Sequence, residues 1–181
     1  MHSAAPPIVL TFGLSDPTGG FGLQADLLTL ASMGCHGVSV LTGYTVRDSA
    51  NCDEVTGLDP DVVATQARML LEDMPIAAFK VGAATRAEVV SAIAEVVSDY
   101  DGIPLILAPD FTVDDEHVLA ADELRESIAD LLAPQTTILI ADQSTLITLA
   151  QPDGEAEAPS LDAAIAHLLS QGAEYVLSPQ T

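Results

Sequence analysis

Asp16 and Asp26 bracket a turn that contains Gly19, Gly20 and Gly22, in the stretch Ser15-Asp16-Pro17-Thr18-Gly19-Gly20-Phe21-Gly22-Leu23-Gln24-Ala25-Asp26. Glycines set this closely permit positive φ and let backbone amides approach a ligand with no Cβ in between. An apolar run enters the turn and a helical pattern leaves it, so its amides lie near the partial positive charge of a helix N-terminus. The spacing is neither the dinucleotide fingerprint nor the phosphate-binding P-loop, because no Lys-Ser or Lys-Thr follows the last glycine. Two carboxylates beside the turn disfavour a bare phosphate and favour a ligand that carries hydroxyl or amine donors. Glycines alone suggest only a structural strand-to-helix turn; the flanking acids make it a ligand-facing loop.

The rest of the composition narrows the chemistry further. The chain has 181 residues, long enough for one domain with a sizeable core, and a formal net charge of −22 from 27 acidic and 5 basic side chains. A field of that sign repels nucleic acid and anionic membrane surfaces, which excludes both as partners. The five cations are Arg47, Arg68, Lys80, Arg86 and Arg125. Arg47 is singled out as a rare cation in a ligand-facing loop, whereas Lys80, at a strand end, is expected to pair with a neighbouring carboxylate. Cys35 and Cys52 are too few for a disulfide framework or a zinc site, and no metal-ligating set is assigned. The acids Asp110, Asp114, Asp115 and Glu116 read as a solvated loop. With neither a signal-peptide pattern at Met1–Pro7 nor an apolar stretch of spanning length, a soluble cytoplasmic protein is expected.

These residues need a scaffold. Short apolar runs at 8–13, 37–46, 76–81, 104–108, 137–141 and 175–178 predict strands, with a weaker edge strand at 51–58. Between them lie helical stripes: Leu23, Leu27, Leu30 and Ala31; Val63, Ala67, Leu70, Leu71 and Met74 after the cap Asp59-Pro60; and Val90, Ile93, Ala94 and Val97 after a capping box at Thr85–Glu88. Further stripes are Leu124, Ile128, Leu131 and Leu132, a short helix at 144–150, and Leu161, Ile165, Leu168 and Leu169 after the cap Ser160. Strands alternating with amphipathic helices predict a single doubly wound α/β domain, a mostly parallel sheet with helices on both faces. Ligands then bind outside the carboxyl ends of the strands, in loops 13–22, 45–52, 82–85, 108–116 and 141–145.

Read together, these loops resemble the hydroxymethylpyrimidine/phosphomethylpyrimidine kinases of thiamine biosynthesis, within the ribokinase-like superfamily. The stretch Ser15–Asp26 carries most of the resemblance, supported by Met33-Gly34-Cys35-His36-Gly37-Val38-Ser39-Val40-Leu41-Thr42, by Pro60-Asp61-Val62-Val63 and by Lys80-Val81-Gly82. The resemblance implies ATP- and Mg²⁺-dependent phosphorylation of a hydroxymethylpyrimidine or its monophosphate. It places Asp16, Gly19, Gly20, Gly22, Asp26, Arg47 and Ala83 at the substrate and Asp142 at the nucleotide, and leaves the catalytic residues to a further C-terminal part, so that 1–181 is expected to be one domain incomplete at that end. A homo-oligomer is compatible with it.

Several positions depart from the family pattern. The family's glutamine falls at Arg47, the glycine after the first strand at Leu14, the methionine of the Lys-Ile-Gly-Met stretch at Ala83, and the acid expected to help hold Mg²⁺ at Thr145. Two alternatives therefore stand beside the kinase: a non-catalytic binding or regulatory descendant, and a pyridoxal-type kinase on the same fold.

Overall fold

A computed structural model describes residues 5–111, 122–151 and 158–179. Within them the strands are β1 (Ile8–Ser15), β2 (His36–Arg47), β3 (Cys52–Gly57), β4 (Ile76–Val81), β5 (Leu105–Leu107), β6 (Ile138–Ile140) and β7 (Tyr175–Leu177). They form one seven-stranded sheet of order β3-β2-β1-β4-β5-β6-β7. Every neighbouring pair is parallel except β2 and β3, an antiparallel hairpin that makes the polar edge. The acidic positions 112–121 and 152–157, with Asp114, Asp115 and Glu116, lie outside the described residues.

Among the described residues six α-helices connect the strands: α1 (Gly22–Ser32), α2 (Pro60–Asp73), α3 (Ala87–Ser98), α4 (Asp122–Ser127), α5 (Gln143–Ala150) and α6 (Leu161–Gln171). The caps at Asp59 and Ser160 form as their side chains predict, accepting from the amides of Asp61 and Ala163. The capping box at Thr85 does not. The N-cap of α3 is Arg86, with no side-chain cap bond, while the Thr85 hydroxyl is buried without a partner. Thr85 instead packs so tightly on Gly57 that a Cβ there would lie 2.2 Å from its hydroxyl oxygen. After α4 the chain widens into a π-helical turn at Ile128–Leu132, which leaves Leu124, Ile128 and Leu132 buried and turns Leu131 outward.

The two faces of the sheet are unequal. Leu10, Phe12, Val40, Phe79, Val81, Leu105, Leu107 and Leu139 point to one side and share a single core with residues from α2 through α6. Phe12 and Phe79 meet there with ring centroids 6.4 Å apart. Helix α1 packs on the other side, over β1 and β2, where Leu27 and Leu30 close over Gly37. Further along that side the register row Lys80, Ile106, Ile138 and Tyr175 is partly covered or exposed. Thr11 stands beside Lys80 in the same row, at the edge of α1.

Candidate functional site

The turn after β1 is built around Asp16. Its side chain is fully buried. Oδ1 accepts from the amide and hydroxyl of Thr18 at 3.0 and 2.9 Å, and Oδ2 accepts from the amides of Gly20 and Phe21 at 2.9 and 3.1 Å. Burial pushes this carboxyl up, but the Thr18 hydroxyl and the amides of Thr18, Phe21 and Gly20 together outweigh it and hold the carboxyl below its ordinary value. Gln24 reaches back from α1 to tie the strand end, accepting from the Asp16 amide at 2.9 Å and donating to the Ser15 hydroxyl at 2.7 Å. Gly22 starts the helix at φ +63°, where a Cβ would sit 2.3 Å from the carbonyl oxygen of Leu14, so no other residue fits.

One helical turn on, Asp26 faces the sheet. Its Oδ2 accepts from Lys80 Nζ at 2.7 Å and from the Thr11 hydroxyl at 2.8 Å. Thr11 is fully buried, while the Lys80 and Asp26 side chains keep 23% and 20% of their surface exposed. That exposure opens onto a cavity of about 220 Å³ at the carboxyl ends of β1, β4 and β5. Gly13, Gly22, Asp26, Lys80, Ala83 and Asp110 are among the residues that line it. A second cavity of about 190 Å³ lies on the far side of the ion pair, lined by Thr11, Asp26, Thr29, Leu30 and Lys80. The Lys80–Asp26 pair is the partition between the two.

The other expected site residues are distributed around this cavity. Ala83 lines it, and its carbonyl oxygen accepts from the Thr42 hydroxyl at 2.9 Å. Gly19 and Gly20 belong to the turn above, held by Asp16, and do not line the cavity. Arg47, at the end of β2, lies over the Phe21 ring at 5.3 Å and 3.9 Å from Asp16 Oδ1; it does not line the cavity itself but contacts Phe21, which does. Leu14 is fully buried with Cys52 and Ala83, flanked by Phe21 and Val55, and fills the space beneath the β2–β3 hairpin.

Asp142 stands at the end of β6 as the N-cap of α5. Its Oδ1 accepts from the Thr145 amide at 2.7 Å and from the Ser144 hydroxyl at 3.0 Å. The Thr145 amide, chiefly, holds its carboxyl low against the effect of burial. Among the described residues no group of three or more His, Cys, Asp or Glu side chains could hold a metal ion. Arg68 pairs with Asp99 at 2.7 Å and Arg86 donates to the Leu58 carbonyl, both away from the cavity. Among the described residues Lys80 is therefore the only cation that lines it, and it is not one of the site residues expected from the sequence. One signal pointed to it: the sole lysine of a strongly acidic chain, at the end of a central strand and just before a glycine.

The arrangement accommodates a small polar molecule. About 220 Å³ is below the roughly 300–1,000 Å³ of pockets for drug-sized ligands and suits a single ring. Against known proteins, the sequence profile described as phosphomethylpyrimidine kinase matches residues 16–178. A hydroxymethylpyrimidine/phosphomethylpyrimidine kinase of Streptomyces coelicolor is 33% identical over 174 residues, which cover 95% of this chain and 63% of the relative. The crystal structure of a phosphomethylpyrimidine kinase from Clostridium difficile superimposes with a TM-score of 0.81 at 26% identity, covering 94% of this chain and 76% of that one. A Staphylococcus aureus pyridoxal kinase in complex with pyridoxal shares the fold, with a TM-score of 0.80 at 24% identity over 95% of this chain and 62% of its own. No described helix is long and apolar enough to cross a membrane.

Proposed function

The chain belongs to the phosphomethylpyrimidine kinase family, and from that membership we propose that it binds 4-amino-5-hydroxymethyl-2-methylpyrimidine, or its monophosphate, as the acceptor of a phosphoryl group in thiamine biosynthesis. The observation that carries this reading is the convergence of Asp26, Lys80, Ala83 and the glycine turn on one small cavity at the carboxyl ends of parallel strands. Asp26 supplies an acceptor for the ring's amine or hydroxyl, and Gly13, Gly22 and Gly82 let a flat ring approach the backbone. Asp16, Gly19 and Gly20 act through the shape of the turn, and Arg47 through Phe21.

ATP with Mg²⁺ is the phosphoryl donor that this membership implies, and Asp142, at the end of β6, is the residue we assign to it. When bound, it would supply the phosphoryl group, with the metal neutralising charge on the phosphates. The described residues do not form a cradle for it: the cavity's single cation is already tied to Asp26, and Asp142 caps a helix. They account for acceptor binding, and on the donor side Asp142 is the residue assigned. A binding protein without turnover is the second reading, favoured by Thr145 at the position of the metal-holding acid.

Isothermal titration with the aminopyrimidine alcohol, its monophosphate and Mg-ATP tests both. A kinase binds an acceptor and Mg-ATP and forms ADP when both are present; a binding protein gives heat with an acceptor alone. No heat with either pyrimidine overturns the acceptor assignment.

A further inference from the structure

The two donors that hold Asp26 converge on a single oxygen. Lys80 Nζ and the Thr11 hydroxyl both bond Oδ2, at 2.7 and 2.8 Å, and no hydrogen bond to Oδ1 occurs among the described residues. Three elements fix this geometry. Thr11 and Lys80 are register partners on β1 and β4, so their side chains emerge side by side on the α1 face. Asp26 comes down from α1 between the two cavities. Gly82 leaves room for the ammonium, since a Cβ there would stand 2.9 Å from Lys80 Nζ. A carboxylate held at one oxygen by a cation and a buried hydroxyl has little rotational freedom, and its other oxygen keeps a fixed direction.

We propose that Lys80 is a positioning residue for acceptor recognition: with Thr11 it locks Asp26 through Oδ2 so that Oδ1 is presented to the cavity as a preorganised hydrogen-bond acceptor for the N–H donor of an amine on the ligand's ring. The inference rests on the acceptor reading above and adds to it the residue that sets selectivity. A site built to accept a ligand's hydrogen bond discriminates strongly against an analogue that lacks the donor, because the site's own polar group is then left unpaired. Lys80 thus acts on the choice of ligand through Asp26, without touching the reacting atoms.

The test is titration calorimetry of the whole chain with two ligands, the aminopyrimidine alcohol and its analogue lacking the amine, on wild type, Lys80→Met and Lys80→Arg. Methionine keeps the apolar stem that separates the two cavities and removes only the charge and donors. The expected result is a loss of about ten- to a hundredfold in affinity for the amine ligand in Lys80→Met, a change of less than about threefold for the des-amino analogue, and partial rescue by Lys80→Arg. Equal losses for both ligands, or no loss for the amine ligand in a Lys80→Met protein with wild-type circular dichroism, overturns the positioning role alone. A wild type that binds neither ligand overturns the acceptor reading and the presentation of Asp26 with it. If Lys80→Met does not fold, Thr11→Val removes the second tether and is expected to give the same ligand-selective loss, smaller in size; equal losses for both ligands, or no loss for the amine ligand, in that variant also overturn the proposal.

Discussion

Asp16 and Asp26 flank the same glycine turn, and the structure uses them in opposite ways. Asp16 is sealed off from solvent with both oxygens spent on the turn's own hydroxyl and amides. Asp26 is partly exposed, held at one oxygen, and lines a cavity with the other unbonded among the described residues. Residue type and spacing do not distinguish them; the supply of nearby donors does. Where donors occupy both oxygens of a carboxylate it becomes scaffold, and where they stop at one oxygen it stays available to a ligand.

Replacing Asp16 should have the largest effect. Asp16→Ala leaves three amides and a hydroxyl without the buried acceptor that organises the turn, and a loss of about 3 kcal/mol in denaturant-derived stability is expected. The pH dependence carries the same signature. The folded carboxyl titrates below its ordinary 3.8, so its contribution is present above that value and disappears as pH falls through the lower folded one. Acid unfolding of Asp16→Ala should accordingly be shallower below about pH 4 than that of wild type. Equal acid limbs would show that the Asp16 bonds contribute nothing to the fold.

Asp26→Ala comes next and acts on the other property. Acceptor affinity should fall about ten- to a hundredfold by calorimetry, with a smaller change in stability than at Asp16. If the two variants lost the same stability, the division between scaffold and ligand carboxylate would collapse. Asp142→Ala should cost about 1 kcal/mol through the lost helix cap and leave acceptor affinity unchanged; a fall in Mg-ATP affinity in this variant would assign Asp142 to the donor. Arg47→Gln installs the side chain that the sequence resemblance leads one to expect at this position. It removes the contact over Phe21, and a change of only about 0.5–1 kcal/mol in acceptor binding is expected.

How much of this was legible in the sequence differs from element to element. The strands were readable because short apolar runs end at Gly or Pro, and β4 begins and ends at the expected Ile76 and Val81. The stripes of α2 and α3 held because their helices are buried along one side. The stripe of α1 held less well: Leu23 alone is buried and Ala31 is exposed, since this helix covers only two strands. The capping box failed at Thr85 because a tertiary contact, Gly57, competed for the side chain. Lys80 illustrates the limit more sharply. That it pairs with a carboxylate was foreseeable, but its partner lies 54 residues away, and the register of β1 and β4 together with the packing of α1 over β1 brings the two together.

The small cluster beneath the hairpin has a consequence in the currency of hydrogen exchange. Leu14, Cys52 and Ala83 form a satellite core apart from the main one, and Ala83 is at once part of that cluster and part of the cavity wall. A satellite core of this size opens at a lower free energy than the sheet's centre. Amides of β3 should therefore exchange ahead of those of β1 and β4, and a ligand seated against Ala83 should slow them selectively. The protection of an edge hairpin would then report, from outside the cavity, whether the cavity is filled.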